Sequence, residues 1–292
     1  MWLVDKRWEP LLAENPVVDK TIVFPREEFR GIAGWLRSVP WALRLKEIGP
    51  EVALDLQGLL RSALMARLSR ARRSVGLSDA REGARWLYDD LAPVRNGEHS
   101  VLRYLRILET LGLPNVTHPV FPLPPGTPCE AALHGNTPFV LLHPFARGEA
   151  KSLSQAQVIE FCNAVRPITV VLAGVGKMRE SLPANTINLL NQTTIRQIIW
   201  LAGAAAFVVS VDSGPMHIAA AINPRLLSIH TWSDPRLVGP FSEQAWIWQG
   251  GEIRRQQLGA PSLRPARLPE SADILQIAEL AGRTALQHNP AG

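Results

Sequence analysis

Short apolar runs recur through the second half of the chain, and they constrain its fold more than any other feature. The runs are continuous, as at 169–173, and lack the alternation of apolar and polar residues that marks a half-exposed strand. Continuous apolar strands are typical of a parallel sheet covered by helices on both faces. The second half is therefore predicted to be a doubly wound α/β domain. Its predicted strands are 138–143, 168–173, 186–190, 206–211 and 225–230, and its predicted helices are 154–166, 193–204 and 215–222.

The first half also alternates strands and helices, though less regularly. The predicted strands are 2–4, 17–24, 51–56 and 73–77, and the predicted helices are 5–14, 27–48 with a break at Pro40, 57–70 and 98–112. A proline-rich stretch at 119–128 predicts an extended linker between two domains. We therefore expect Rossmann-like domains at 1–130 and 131–270, and a final helix within 271–292 that packs back towards the first domain. The first domain is expected to lack its opening strand and helix.

The turn at 211–217, Val-Asp-Ser-Gly-Pro-Met-His, stands between a predicted strand and a predicted helix. Ser213 suits an N-cap, Gly214 lets the backbone approach a ligand, and proline suits the first helical turn. Free N–H groups at such a helix start attract anions, above all phosphate. Asp212 and His217 flank this point and are candidates to contact the ligand. The alternative role of Asp212 is a helix cap, and that of His217 is a packed polar residue.

A second loop, 143–151, also joins a predicted strand to a predicted helix and contains Arg147 and Lys151. The helix after it begins with Ser154 and Gln157, which fit a capping box. Loops that follow parallel strands meet at one edge of the sheet, so these two cations are expected beside the 211–217 turn. Guanidinium and ammonium groups both bind phosphate, although solvated loop cations are the simpler alternative.

Basic residues are concentrated in the first half. The net charge is +5, and the segment 61–85 contains seven arginines and two acidic residues. This favours either a solvated helix face or a surface for a polyanion such as a phosphorylated lipid, a membrane or a nucleic acid. Nucleic-acid binding is disfavoured because aromatic residues are not interleaved with these arginines. A basic, Trp-bearing segment at 29–48 suits either core packing or a membrane interface.

A metal site has little support in the sequence. There is no Asp-X-Asp motif, no Walker loop and no ligand spacing among the seven histidines. We therefore predict no metal and no cofactor.

At the predicted edge of the first domain, Gln57, Arg61 and Ser62 follow a strand, and Arg61 is either a surface arginine or a contact for an acidic substrate.

Together these motifs resemble glycosyltransferase family 9, the bacterial lipopolysaccharide heptosyltransferases. The turn at 211–217 is similar to the family's Asp-Thr-Gly-x-x-His, and 143–151 to its His-Pro-x-Ala-Arg-x-x-x-Lys. Supporting matches lie at 55–62, 99–104 and 233–235.

The resemblance implies a GT-B fold, in which two Rossmann-like domains face a cleft. It also implies inverting, metal-independent transfer of heptose from ADP-heptose to the anionic Kdo and lipid A inner core. The enzyme would be a cytoplasmic monomer, peripheral to the inner membrane and without a nucleic-acid partner. The donor would contact Arg147, Lys151, Asp212, Ser213, Gly214 and His217, and the acceptor Gln57, Arg61, Ser62 and Arg103.

The sequence departs from the family pattern in two places that bear on activity. The segment with the aspartate expected as general base is absent, so no catalytic residue is assigned and little transferase activity is expected. His230-Thr231-Trp232 replaces an aromatic-Gly-Pro sequence, which leaves sugar and base specificity open. The alternatives are a catalytically impaired nucleotide-sugar-binding fragment and a family 9 transferase for another sugar.

Overall fold

The computed structural model describes residues 1–29, 31–116, 118–132, 137–258 and 267–287. The chain forms two compact units. One consists of Met1–Glu9 and Thr21–Pro119, and the other of Pro10–Lys20 and Val120–Gly292. Positions 288–292 of the segment predicted to contain the final helix, and positions 259–266 of the loop before it, lie outside the described residues.

The first unit contains two small parallel sheets. Strands β1 (Trp2–Asp5) and β2 (Thr21–Phe24) pair with each other, and helix α1 (Gly31–Arg44) follows them. Strands β3 (Val52–Asp55), β4 (Arg73–Leu77) and β5 (Asp90–Ala92) form the second sheet in that order, with helices α2 (Leu60–Leu68) and α3 (Ser100–Thr110). One buried apolar cluster of this unit contains Val75, Leu77, Ala92 and Ile107.

Three predictions for the first unit were wrong. The helix predicted at 5–14 is a short 3-10 helix, Lys6–Leu11. Pro40 does not break the helix predicted at 27–48, because α1 continues through it to Arg44. Proline removes one N–H from the helix ladder, and the exposed position leaves the unpaired carbonyl open to water. Strand β5 was not predicted, because it has only three residues. Asp89, the residue directly before it, accepts hydrogen bonds from the backbone N–H and the hydroxyl of Ser74, and these bonds fix the strand beside β4.

The second unit is built on one seven-stranded sheet. Its elements are β6 (Phe139–His143), α4 (Gln155–Ala164), β7 (Thr169–Gly174), β8 (Thr186–Leu190), α5 (Ile195–Ala204), β9 (Phe207–Val211), α6 (Gly214–Ile222), β10 (Leu226–Ile229), α7 (Pro235–Val238), β11 (Trp246–Gln249), β12 (Glu252–Arg255) and α8 (Ser271–Gln287). The strand order is β12-β11-β10-β9-β6-β7-β8, and every pairing is parallel except that of β11 with β12. The five predicted strands are present, whereas β11, β12 and α7 were not predicted.

Helices cover both faces of this sheet, as the continuous apolar strands predicted. Alternate residues of β6 enter two different buried clusters, Val140 and Leu142 in one and Phe139 and Leu141 in the other. The predicted capping box at the start of α4 is confirmed: Ser154 and Gln157 exchange hydrogen bonds of 2.8 and 3.2 Å.

Helix α8 supplies apolar side chains to the core of the second unit. Ile274, Ile277 and Ala281 belong to the same buried cluster as Val140 of β6 and Phe161 of α4. Packing of this helix towards the first domain stays a prediction, since Ile274, Ile277 and Ala281 pack into the core of the second unit. Among the described residues, none of the helices combines the length and apolar composition needed to cross a bilayer.

Two irregular segments, Pro10–Lys20 and the proline-rich stretch from Val120 to residue 128, also belong to the second unit. The Nδ2 atom of Asn15 donates to the Pro122 carbonyl oxygen at 2.7 Å. Arg196 of α5 donates to the carbonyl oxygens of Ala13 and Pro125, both at 2.7 Å. The 119–128 stretch has no regular secondary structure, as predicted for a linker, but these bonds fix it to the surface of the second unit.

Candidate functional site

The strand order of the second unit reverses between β6 and β9. From β6 the chain moves to β7 on one side, whereas from β9 it moves to β10 on the other. In open parallel sheets, ligands bind beyond the carboxyl ends of the strands at such a reversal. The loop at 144–154 follows β6 and the turn at 212–213 follows β9, so both predicted phosphate-binding segments lie at this point.

An ion pair between Lys151 and Asp212 joins the two loops. Lys151 Nζ donates to Asp212 Oδ2 at 2.6 Å, and both side chains are largely buried. Burial alone would raise the pKa of Asp212, but hydrogen bonds from Lys151 and Ser233 hold that pKa below its ordinary value. Asp212 therefore remains ionised at neutral pH, and the sequence-based expectation that these residues lie together is confirmed.

The loop that presents Lys151 is closed by its own hydrogen bonds. Ser152 Oγ accepts from the Ala146 N–H at 3.0 Å and donates to the Gly148 carbonyl oxygen at 3.0 Å. The Leu153 N–H donates to the Pro144 carbonyl oxygen at 2.9 Å. These bonds fix the backbone on both sides of Lys151, and the same loop presents the exposed Arg147.

Helix α6 begins at Gly214, as the turn predicted, but Ser213 does not cap it with its side chain. Ser213 Oγ donates instead to the Val211 carbonyl oxygen at 3.0 Å. The first turn of α6 therefore has no side-chain acceptor from Ser213, which suits a bound anion at these N–H groups. Gly214 faces open space, and His217 is exposed on the first turn.

A buried polar chain that the sequence did not predict extends behind Asp212. Ser233 hydrogen-bonds the Asp212 carboxylate, and its Oγ lies 2.9 Å from Nδ1 of His230. The other ring nitrogen, Nε2, lies 2.7 Å from Ser228 Oγ. His230 is fully buried, and burial lowers its pKa to about 4. Part of the signal was present in the sequence, since His230 and Ser233 directly follow β10 at the same edge of the sheet as Asp212.

The segment 230–233 also holds the Lys151 loop from the side of β10. Thr231 Oγ1 donates to the Ala150 carbonyl oxygen at 2.5 Å. The Trp232 ring centroid lies 4.7 Å from Lys151 Nζ, within the range of a cation–π contact. The loops after β6, β9 and β10 thus form one connected site.

The buried neutral His230 predicts an acid-sensitive second unit. In the unfolded chain His230 binds a proton near its ordinary pKa of 6.5, whereas in the folded chain it does so only near 4. Between these values the unfolded state holds the extra proton, so the free energy of unfolding falls as the pH falls from 6.5 to 4. We expect the free energy of unfolding to fall by roughly 3 kcal/mol over this pH range.

Urea unfolding at several pH values tests this expectation. His230→Gln has no titrating ring, so its free energy of unfolding should change less than that of the native chain between pH 6.5 and 4. His143 is also buried, and burial lowers its pKa, but it titrates equally in both proteins and cancels from the comparison. Parallel pH profiles for the two proteins would contradict the assignment to His230.

In the first unit, the predicted acceptor residues after β3 have local structural partners. Asp55 Oδ1 accepts from the backbone N–H groups of Gln57 and Gly58 at 2.8 and 3.1 Å. Ser62 Oγ accepts from the Leu59 N–H at 3.2 Å and donates to its carbonyl oxygen at 2.9 Å, which closes the start of α2. The side chain of Gln57 is exposed.

The predicted acceptor arginines differ in their surroundings. Arg61 is exposed, and its guanidinium carbon lies 5.5 Å from the centre of the Phe24 ring. Arg103 forms a bidentate pair with Asp79 at 2.7 and 2.9 Å, which raises the pKa of Arg103. Their role towards an acceptor stays a prediction.

Several arginines of the 61–85 segment are paired with acids outside it. Arg73 pairs with Asp90 at 2.7 Å and Arg67 with Asp89 at 3.6 Å, while Arg72 pairs with Glu51 at 3.5 Å. The local charge of this surface is therefore smaller than the segment alone indicated.

Across the described ranges, no three His, Cys, Asp or Glu side chains are grouped as a metal site, and metal independence stays a prediction.

Comparison with known proteins decides the family. The profile of glycosyltransferase family 9 (heptosyltransferase) matches residues 42–263. The chain belongs to glycosyltransferase family 9. It is therefore a glycosyltransferase, and the matched range includes both loops of the Lys151–Asp212 site.

Two relatives that match most of this family-9 protein are distant from it in sequence. Lipopolysaccharide heptosyltransferase 1 of Pseudomonas aeruginosa is 28% identical over 270 residues, which cover 82% of this chain and 72% of the relative. Lipopolysaccharide heptosyltransferase 1 of Campylobacter coli is 22% identical over 256 residues, which cover 78% of this chain and 73% of the relative.

Solved structures support the fold of this family-9 protein. A family 9 glycosyltransferase from Veillonella parvula superposes with a TM-score of 0.75 at 16% identity and covers 98% of this chain and 88% of that one. E. coli heptosyltransferase WaaC with ADP gives a TM-score of 0.72 at 17% identity, and the match covers 97% of this chain and 89% of WaaC. The prediction of an α/β fold of the GT-B type with Rossmann-like domains is confirmed.

Proposed function

We propose that this chain transfers heptose from ADP-heptose to the Kdo region of a lipid A inner core. The observation that carries the proposal is the Lys151–Asp212 pair beside the uncapped start of α6, at the point where the strand order reverses. This arrangement suits a diphosphate. The names of the relatives, lipopolysaccharide heptosyltransferases, and the ADP in the WaaC structure support the choice of sugar and nucleotide.

The proposed reaction is a single displacement at the anomeric carbon, with inversion. The bond from this carbon to the diphosphate breaks as the acceptor oxygen attacks, and negative charge grows on the departing ADP. We assign the stabilisation of this charge to Lys151, Arg147 and the N–H groups of α6, so the proposal needs no metal ion. A base takes the proton of the acceptor hydroxyl, and we assign this role to none of the described residues.

The acceptor is anionic and anchored in lipid, and the first unit has features that suit such a partner. Helix α1 exposes Leu36, Val39 and Leu43 along one side, together with Arg37 and Arg44. Apolar and basic side chains on one helix suit the interface of an anionic membrane. We propose that the enzyme works as a monomer at the cytoplasmic face of the inner membrane, with Arg61 facing the acceptor.

Calorimetry with ADP, ADP-heptose and a UDP-sugar tests the donor assignment. We expect the two adenine nucleotides to bind at least about tenfold more tightly than the UDP-sugar, a difference of roughly 1.4 kcal/mol. Equal affinity for all three ligands would contradict the proposal.

Release of ADP from ADP-heptose tests the transfer itself. We expect slow release, and only when a lipid A acceptor that bears Kdo is present, because none of the described residues is assigned as the general base. Tight binding of ADP-heptose without acceptor-dependent release would instead support the alternative, a catalytically impaired nucleotide-sugar-binding protein. Release from a different ADP-sugar alone would support a family 9 transferase for another sugar.

A further inference from the structure

Trp232 is a large aromatic residue that stays exposed at the centre of the site. It follows β10 by three residues, and 62% of its surface is open to solvent. Its neighbours His230, Thr231 and Ser233 are all buried, so the chain holds the backbone firmly on both sides of an exposed ring. Aromatic side chains at such positions commonly form one wall of a ligand site.

The ring is fixed relative to the cation that the proposed function assigns to the diphosphate. Lys151 Nζ lies 4.7 Å from the Trp232 ring centroid and 2.6 Å from Asp212 Oδ2. Thr231, the preceding residue, hydrogen-bonds the Ala150 carbonyl oxygen next to Lys151. A ligand whose phosphates reach Lys151 therefore has its next chemical group within reach of the indole.

The strand order indicates which end of the donor lies there. In Rossmann-like sheets the ribose of the nucleoside is bound near the end of the second strand, which here is β7. The diphosphate binds at the reversal between β6 and β9. The sugar on the far phosphate then extends in the opposite direction from the nucleoside, past β9 towards β10, where Trp232 lies.

We propose that the Trp232 ring packs against the transferred sugar of the donor and contributes to sugar specificity. One face of a pyranose ring presents C–H groups with partial positive charge, and the face of an indole is the negative part of its quadrupole. Lys151 and the α6 start hold the diphosphate, and the ring selects the sugar beyond it. This inference rests on the proposed function of the same site.

Two ligands that differ only by the sugar separate this role from phosphate binding. The dissociation constants of ADP and ADP-heptose are measured for the native protein, Trp232→Ala, Trp232→Phe and Trp86→Ala. Trp86 is the matched control, since it is 80% exposed and also lies beside a cation, with Arg85 at 5.1 Å, but belongs to the first unit. The measured quantity is the affinity gained by adding heptose to ADP.

We expect Trp232→Ala to lower this gain about threefold to tenfold, while Trp232→Phe keeps most of it and Trp86→Ala keeps all of it. A change in ADP affinity through the lost contact with Lys151 cancels from the ratio. An unchanged ratio in Trp232→Ala would overturn the inference and leave the proposed donor site intact. If the native protein bound neither ligand, both the inference and the proposed function would be overturned.

Discussion

Replacing Lys151 with alanine should weaken ADP binding roughly 10- to 100-fold, because the charge-assisted bonds that Lys151 offers to a diphosphate are worth about 1.5–3 kcal/mol. The substitution also leaves the carboxylate of Asp212 without its ion-pair partner, only 8% exposed and beside the incoming phosphates. Both effects act against the ligand. Calorimetry with ADP measures the loss directly, whether or not transfer is observed.

Two further variants separate these effects. Asp212→Asn combined with Lys151→Ala removes the repulsive carboxylate, so a double-mutant cycle should recover part of the lost affinity. Lys20→Ala is the control, since it removes an exposed lysine of the same unit that lies outside the site. Unchanged ADP affinity in Lys151→Ala would show that the ion pair only stabilises the loops.

Replacing Gly174 with alanine should lower the free energy of unfolding of the second unit by about 2–6 kcal/mol. Gly174 has φ +108°, which disfavours any side chain, and a Cβ there would lie 2.2 Å from the His143 ring. His143 cannot move away without cost, because it is buried and its Nδ1 donates to the Ala173 carbonyl oxygen at 2.8 Å.

Gly148 offers a matched control for this prediction. It has nearly the same φ, +110°, but a Cβ there would meet nothing within 4 Å. Gly148→Ala should therefore cost only the backbone strain, about 1–3 kcal/mol. Urea unfolding of both variants measures the difference. Equal losses would show that the contact with His143 is relieved by a small shift and adds nothing.

The sequence was most informative where one local pattern implied one structure. Continuous apolar runs predicted the parallel sheet, and residues directly after those runs had to meet at one edge. That reasoning was sufficient to predict that Lys151 and Asp212, which are 61 positions apart in the chain, lie close together. It required no knowledge of side-chain orientation.

The sequence was less informative where tertiary contacts decide the outcome. Strand β5 has only three residues and depends on Asp89 bonding Ser74, a contact that no periodicity reveals. Pro40 is tolerated in α1 because its position is exposed, which depends on the surroundings of the helix. The buried role of His230 arises only when Ser228 and Ser233 are brought to its two ring nitrogens.

The packing of α8 has a consequence for the order in which the chain folds during synthesis. Ile274, Ile277 and Ala281 complete a cluster that includes β6 and α4, elements translated more than one hundred residues earlier. The segment Pro10–Lys20 belongs to the same unit and is translated earlier still. The core of the second unit is therefore finished only after α8 leaves the ribosome. Until then, an apolar surface around β6 and α4 stays open to chaperones and to non-native contacts.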